Sequence, residues 1–203
     1  MSGAAEIAAI VLAAGSSRRF GSDKLLHPVT LQGVTLPLAA HSLLPWLETF
    51  ERTTVVVRPG SEPFCNAIVA ALGATRSVKL HCLVCDDAAL GMAASLACGV
   101  RANRDAAGWV IGLADMPVVP AAAISGVRNA LQAGAGLAAA ACRGRRGHPV
   151  GFGWRYCEEL LALQGGAGAR ALLERDLSSL VQIETGNNGI FADIDIPGDL
   201  QNL

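Results

Sequence analysis

Short apolar runs alternate along the chain with longer segments of helical periodicity. The strand-like runs cover residues 7–13, 53–58, 78–84, 109–114 and 136–142, and the helical patterns cover 36–50, 61–73, 91–103 and 120–134. Most of the runs are continuously apolar, which is typical of strands that are covered on both faces. The alternation predicts an α/β fold of three layers with a largely parallel sheet.

The regular alternation of strand-like and helical segments ends after Cys142. A glycine-rich basic segment, 143–154, is followed by two short helical stretches, a strand at 180–185 and a closing segment at 191–200. The chain has 203 residues and shows neither a linker nor an internal repeat, so we expect one domain. Residues 143–203 should pack on the same sheet as the first part.

Composition excludes several classes of protein. Hydrophobic residues make up 52% and charged residues 16%, which is typical of a globular chain, and the net charge of −1 argues against nucleic-acid binding. Glu6 interrupts the apolar start and no basic residue precedes it, so a signal peptide is not indicated, and no apolar run is long enough to span a membrane. We expect a cytoplasmic protein whose six cysteines are free thiols.

The first strand ends in a loop that suits a chain of phosphates. The residues from Ala13 to Ser17 are small, so their backbone N–H groups can approach an anion. Arg18, Arg19 and Lys24 add mobile positive charge. The loop is neither a Walker P-loop nor a G-x-G-x-x-G motif, so an oxidoreductase has no dinucleotide fingerprint here. The alternative is a solvated turn with ordinary surface arginines.

Three carboxylates are candidates for a metal site. Asp115 ends an apolar strand opposite the phosphate loop, where a carboxylate is a natural Mg²⁺ ligand. Asp193 and Asp195 alternate in an extended segment, which puts both on one face, and either could complete the site. The alternative for that pair is a solvated acidic surface.

Four segments together resemble one family of enzymes. "LAAGSSRRFGSDK", "GLADMP", "GHPVGF" and "DIDIPGDL" occur in order along essentially the whole chain and are similar to motifs of the MobA-related nucleotidyltransferases, most closely the MocA-like branch of molybdenum cofactor cytidylyltransferases. The resemblance implies a Rossmann-like GT-A fold with a mostly parallel mixed sheet, an NTP donor and Mg²⁺. Residues 1 to about 142 would be the nucleotide-binding part and residues 143–203 the acceptor side.

The resemblance also implies roles for individual residues. Lys24, Arg19 and Asp115 would be catalytic: Lys24 stabilises charge at the α-phosphate and Asp115 is the principal metal ligand, with Asp193 as the second ligand and Asp195 as its alternative. The sequence departs from the family pattern at Ala114, usually glycine, and at 196–199, usually T-P-E-D. The nucleotide-binding set would be Leu12, Ala13, Ala14, Gly15, Ser16, Arg19, Lys24, Gly91, Met92 and Ser95.

The reaction implied is transfer of CMP from CTP to a phosphorylated acceptor such as molybdopterin, with a molybdoenzyme or one of its maturation factors as a protein partner. CTP is favoured over GTP because the MobA branch usually has L-A-G-G where this chain has Leu12-Ala13-Ala14-Gly15. A sugar phosphate is the alternative acceptor, and a non-catalytic nucleotide- or cofactor-binding chaperone is the alternative class. The expected acceptor-binding residues lie in one basic loop: Arg143, Arg145, Arg146 and His148.

Overall fold

The computed structural model describes residues 6–15, 20, 23–164 and 168–202. Nine strands occur in this part of the chain. They are β1 (Ile7–Leu12), β2 (Pro28–Leu31), β3 (Val34–Pro37), β4 (Thr53–Val57), β5 (Leu80–Val84), β6 (Gly108–Leu113), β7 (Leu137–Cys142), β8 (Arg145–Gly153) and β9 (Leu180–Glu184). The helices are α1 (Leu38–Thr49), α2 (Glu62–Leu72), α3 (Ala74–Ser77), α4 (Met92–Ala102), α5 (Ala121–Gln132), α6 (Cys157–Leu161) and α7 (Arg170–Arg175).

Seven strands form one mixed sheet in the order β5-β4-β1-β6-β8-β7-β9. Only β8 runs against the others, pairing antiparallel with β6 and with β7. The remaining pairs, β1 with β4 and β6, β4 with β5, and β7 with β9, are parallel. The predicted Rossmann-like α/β fold with a mostly parallel sheet is confirmed.

Each face of the sheet carries its own hydrophobic core. Alternate residues of β1 face opposite ways, so Val11 belongs to a core with α1, α2 and α5, while Ile10 belongs to a core with α4, α6 and α7. Both residues are fully buried. This two-sided burial is the reason why the strands read as continuous apolar runs in the sequence.

The basic segment 143–154, which was expected to be a loop, forms a turn and a strand instead. Arg143 and Gly144 form a two-residue turn with φ angles of 52° and 72°, and β8 begins at Arg145, opposite Cys142. Positive φ at both turn residues matches the twist of the flanking strands in a hairpin. The segment therefore enters the middle of the sheet as its one antiparallel strand.

A second hairpin was also missed. Strands β2 and β3 pair across Gln32 and Gly33, whose φ angles of 49° and 79° are again both positive. This hairpin packs on the side of α1, because Val29 and Leu38 share a small core with Phe20 and Ile194 of the closing segment. It connects the loop after β1 to the closing segment.

Candidate functional site

The carboxyl ends of four neighbouring strands surround a cavity of about 700 Å³. This is where an open α/β sheet binds its ligands. Nine of the residues expected to take part in nucleotide binding or catalysis line it, namely Leu12, Ala13, Ala14, Gly15, Lys24, Gly91, Met92, Ser95 and Asp115. Ser16 and Arg19, together with Ser17 and Arg18, lie outside the described residues.

One backbone N–H group of the loop after β1, which the sequence suggested was free to bind a ligand, is already hydrogen-bonded. The N–H of Ala13 donates to the carbonyl of Val56 at 2.8 Å, so it continues the ladder with β4 and is not available to a ligand. Ala14 and Gly15 follow it at the cavity wall, where a Cβ on Gly15 would meet nothing within 4 Å. Among the described residues of the loop, an anion could therefore be bound only by N–H groups that follow Ala13.

Lys24 is buried rather than mobile, which corrects the expectation of a flexible cation. Its side chain is 9% exposed, and Nζ donates to Asp115 Oδ2 at 2.8 Å. Nζ also donates to the carbonyl oxygen of Ile194 and lies 3.5 Å from Asp195 Oδ1. The lysine thus joins the end of β6 to the closing segment.

The two carboxylate oxygens of Asp115 differ in their hydrogen bonding. Its Oδ1 is buried and has no hydrogen-bond partner among the described residues, whereas Oδ2 accepts from Lys24. A buried acceptor without a donor is costly unless something binds it, and a cation can do so. The backbone of Asp115 is fixed as well, because its carbonyl accepts the N–H of Ile194 at 3.0 Å.

The two carboxylates of the closing segment occupy one face, as the alternation predicted. Ile194 between them is buried, while Asp193 and Asp195 are exposed. The Asp199 carboxylate holds this segment in shape, because its Oδ2 accepts the N–H groups of Asp195 and Ile196 at 2.7 and 2.9 Å. These two hydrogen bonds are the main reason why the pKa of Asp199 is lowered.

The four proposed acceptor-binding residues do not form one cluster, and none of them lines the cavity. The N–H of Arg143 donates to Glu184 of β9 at 2.9 Å, and the guanidinium of Arg145 lies over the ring of Phe191, 4.3 Å from its centre. Arg146 and His148 lie closer to the end of β6. The basic segment therefore lies on the opposite side of β6 from β1, β4 and β5.

His148 is the member of this group that approaches the carboxylates. Burial lowers its pKa, and a hydrogen bond with the backbone of Ile111, followed by the charges of Asp115 and Asp193, opposes that shift. Its Nδ1 is buried without a hydrogen-bond partner among the described residues. The imidazole of His148 therefore lies in β8 near Asp115, although the sequence suggested a cation in an exposed loop.

Two charged residues at the cavity were not assigned a role from the sequence. Arg58 follows β4 and donates from Nη1 to the carbonyl of Gly15 at 3.2 Å. Asp86 follows β5 and lines the same cavity. Both residues follow apolar strands, and this position could have marked them as candidates in the sequence. That they are neighbours follows only from the strand order, in which β4 and β5 are adjacent.

Comparison with known proteins decides the family. The model of the MobA-like NTP transferase domain matches residues 9–181. The chain belongs to the MobA-like NTP transferase family. It is 32% identical over 196 residues to the purine catabolism protein PucB of Bacillus subtilis, covering 93% of this chain and 91% of PucB. The family name makes the chain a nucleotidyltransferase that takes an NTP as substrate.

Solved structures extend the likeness to the fold. Rv0371c of Mycobacterium tuberculosis superposes with a TM-score of 0.76 at 22% identity, over 97% of both chains. Molybdopterin-guanine dinucleotide biosynthesis protein A of Archaeoglobus fulgidus does so with a TM-score of 0.62 at 18% identity, over 97% of this chain and 96% of its own. Within the described part of this MobA-like chain, no helix is both long and apolar enough to cross a membrane.

Proposed function

We propose that the chain transfers CMP from CTP to a phosphorylated small molecule, molybdopterin being the favoured acceptor, and releases pyrophosphate. The observation that carries the proposal is the cavity at the carboxyl ends of β1, β4, β5 and β6, with Lys24 and Asp115 in its wall. A lysine and a carboxylate beside an anion-binding turn provide the charge that phosphoryl chemistry needs.

Mg²⁺ is the proposed cofactor, and the donors present fit it. The Oδ1 atom of Asp115 is a buried carboxylate oxygen without a hydrogen-bond partner among the described residues. Asp193 lies near it, because Asp115 and Asp193 both raise the pKa of His148. Among the described residues, no three or more His, Cys, Asp or Glu side chains converge as a closed metal site. Mg²⁺ is typically held by one or two carboxylates together with substrate phosphates and water. When bound, it would neutralise charge on the phosphates of the NTP.

The chain's own residues would position the reacting groups. The N–H groups after Ala13 would hold the phosphates, and Lys24 would offset the charge that grows at the α-phosphate and on the leaving oxygen. Asp193 is the preferred second carboxylate because Asp195 already lies beside Lys24 Nζ. A phosphate acceptor is ionised at neutral pH, so no general base is required and positioning supplies most of the catalysis.

The acceptor would enter from the side of β8. Arg146 and His148 lie on that side of Asp115, and the cavity described above opens on the other side, toward β5. Donor and acceptor would then approach the reacting phosphate from opposite directions along the sheet edge. PucB is named for purine catabolism, which leaves the acceptor open, so a sugar phosphate stays the alternative.

The test is release of pyrophosphate with each of the four NTPs, measured with molybdopterin, with a panel of sugar phosphates and without an acceptor. Release that requires CTP and molybdopterin supports the proposal. Release with a sugar phosphate alone would replace the acceptor but keep the reaction. Tight NTP binding with no release under any of these conditions would favour a nucleotide-binding chaperone.

A further inference from the structure

Two of the free cysteines lie next to each other between the end of β5 and helix α4. Cys85 directly follows β5, and Cys98 lies in α4, where both belong to the core on that face of the sheet. The two thiols are hydrogen-bonded to each other. Neither residue belongs to the described lining of the cavity, although the chain between them does line it. The pair therefore lies just behind one wall of the cavity.

Each cysteine sulfur also approaches the backbone of the other cysteine. Sγ of Cys98 lies 4.0 Å from the carbonyl oxygen of Val84, the residue before Cys85. Sγ of Cys85 lies 3.8 Å from the carbonyl oxygen of Ala94, which accepts the N–H of Cys98 in a regular helix. A disulfide requires two backbones that are close enough for both side chains to reach across, and this pair meets that requirement from both sides.

Main-chain packing sets the distance between the two cysteines. Helix α4 can lie close to the sheet because Gly99 follows Cys98, and a Cβ on Gly99 would meet Cγ2 of Ile10 in β1 at 2.8 Å. The backbone of Cys85 is fixed as well, since its N–H donates to the carbonyl of Val57 at 2.8 Å. The contact between the thiols is therefore built into the fold and does not depend on mobile side chains.

We propose that Cys85 and Cys98 form a reversible disulfide, with a hydroperoxide as the oxidant. Cys98 is partly exposed whereas Cys85 is 2% exposed, so the sulfur of Cys98 meets the oxidant. It attacks the peroxide, the O–O bond breaks, and Cys98 becomes a sulfenic acid while an alcohol leaves, or water from hydrogen peroxide. The sulfur of Cys85 then attacks that of Cys98, so that the S–S bond forms, the S–O bond breaks and water leaves. The two thiols have lost two electrons and two protons, and the hydroperoxide has been reduced by the same amount.

The disulfide would close a loop that forms one wall of the cavity. Six lining residues lie between the two cysteines, namely Asp86, Ala88, Ala89, Gly91, Met92 and Ser95. Bond formation draws the sulfurs from hydrogen-bond contact to about 2.05 Å, which pulls α4 toward the turn that precedes it. The wall then departs from its shape in the reduced protein, so oxidation should weaken nucleotide binding. This consequence, unlike the disulfide itself, rests on the function proposed above.

The first test maps the thiols of the full chain after treatment with hydrogen peroxide. Free thiols are blocked with iodoacetamide, disulfides are reduced, and the released thiols are labelled with N-ethylmaleimide and located by peptide mass spectrometry. The label should appear at Cys85 and Cys98 together, and Cys85 should lose it in Cys98→Ala. Cys65 and Cys82 are also hydrogen-bonded to each other, so Cys65→Ala/Cys82→Ala is the matched control and should keep the label at the proposed pair. Absence of the label from Cys85 and Cys98, with or without label at the other pair, overturns the proposal.

The rate of closure should depend steeply on pH. Burial, followed by the hydrogen bond with Cys85, raises the pKa of Cys98 to about 11, a shift to which the charge of Asp86 adds and which the charge of Arg101 opposes. The thiolate is the form that attacks, so closure is slow at neutral pH and its rate should rise about tenfold for each pH unit below that value. A rate that stays constant between about pH 7 and 9 would overturn Cys98 as the attacking sulfur.

The second test measures binding of CTP with Mg²⁺ to reduced and oxidised protein by titration calorimetry. Oxidation should raise the Kd at least about fivefold, the lower end of ordinary coupling between two sites, and dithiothreitol should restore it. The reversal separates the disulfide from oxidation of Met92, which is 48% exposed at the cavity wall and whose sulfoxide dithiothreitol leaves in place. Cys98→Ala should show no reversible change. A mapped disulfide with an unchanged Kd would overturn its effect on the cavity, whereas absence of NTP binding by the reduced protein would overturn the proposed function and leave the thiol map to decide the disulfide.

Discussion

Lys24 Nζ lies 2.8 Å from Asp115 Oδ2, so the catalytic lysine and the principal metal ligand proposed here form an ion pair. The side chains are 9% and 24% exposed, and the two residues are 91 positions apart in sequence. Oδ2 of Asp115 accepts a hydrogen bond from Lys24, whereas Oδ1 has no hydrogen-bond partner among the described residues and could bind a cation. A metal ion could thus bind Asp115 without displacing the lysine, and Nζ would stay beside the proposed site of the phosphates.

Replacing Lys24 should therefore affect turnover more than nucleotide binding. Charge at the α-phosphate and on the leaving oxygen grows mainly in the transition state, and an interaction made only there appears in kcat. Lys24→Met, which keeps the aliphatic volume, should lower kcat by about 10²–10³ with little change in KM for the NTP. Equal kcat with a raised KM would make Lys24 a simple phosphate anchor.

The same substitution should also destabilise the fold, because it leaves the Asp115 charge without its partner. Breaking a buried ion pair by removing one member is more damaging than removing both. The double variant Lys24→Met/Asp115→Asn should therefore melt at a higher temperature than Lys24→Met while staying inactive. Melting curves that place the double variant below the single one would show that the pair is not what holds Asp115.

Asp115→Asn alone tests the metal assignment. An amide oxygen is a weaker ligand than a carboxylate, so the variant should lose most turnover and should need a higher Mg²⁺ concentration for what remains. Circular dichroism should show that the fold is retained. Rates close to wild type at limiting Mg²⁺ would contradict the assignment.

The closing segment contains two candidates for the second metal-binding carboxylate, Asp193 and Asp195. Asp195 Oδ1 lies 3.5 Å from Lys24 Nζ, whereas Asp193 acts on His148 together with Asp115. Asp193→Asn should accordingly raise the Mg²⁺ concentration at half-maximal rate by more than Asp195→Asn does. The two variants carry the same change in charge, so each is the control for the other. The reverse order would make Asp195 the second ligand.

Sequence reasoning located the parts of the site that depend on single strands. Continuous apolar runs marked β1 and β6, and the small residue Gly15 and the carboxylate Asp115 that follow them do line the cavity. Their position could be predicted because the carboxyl end of a parallel strand lies at the ligand-binding edge of the sheet whatever the order of the strands, while their roles stay predictions. The family pattern added Gly91, Met92 and Ser95, which also line it.

The pairing and order of the strands could not be predicted from the sequence in the same way. The hairpin turns at Gln32-Gly33 and Arg143-Gly144 carry a residue-glycine signal, but neither is the Asn-Gly or Asp-Gly that marks such turns most clearly. The insertion of β8 between β6 and β7 has no local signature. The adjacency of Arg58 and Asp86 also follows only from the strand order.

Two cysteines should make the stability of the fold fall at alkaline pH. Burial, followed by a hydrogen bond to Cys65, raises the pKa of Cys82 to about 12, and burial with a hydrogen bond to Cys85 raises that of Cys98 to about 11. An unfolded chain ionises its thiols near pH 8.5, so these groups favour the folded state below that pH and the advantage is lost as pH rises through the folded values.

Melting temperature should therefore fall between about pH 8.5 and 11. It should fall less steeply in Cys82→Ala/Cys98→Ala than in wild type, once each curve is referred to its own value at pH 7. All six cysteines are free, so no disulfide complicates the comparison. Parallel curves for the two proteins would show that these thiols do not contribute.

The basic strand β8 tests the proposed side of acceptor entry. Arg145 lies against Phe191, and Arg146 lies close enough to His148 and Glu174 to alter their ionisation. Charge reversal in Arg145→Glu/Arg146→Glu should raise KM for the acceptor at least tenfold and leave the Kd of the NTP within about twofold, an effect that salt should weaken because exposed charges are screened.

The matched control is Arg101→Glu/Arg104→Glu, which makes the same change in net charge at and just beyond the C-terminal end of α4. Both arginines are exposed, and the 11-residue helix places its far end about 16 Å from the cavity. The control should change neither constant. If the β8 variant loses NTP affinity instead, the two arginines serve the donor and the direction assigned to the cleft is reversed. If it matches the control, β8 presents only a solvated basic surface, because a phosphate contact cannot survive reversal of both charges.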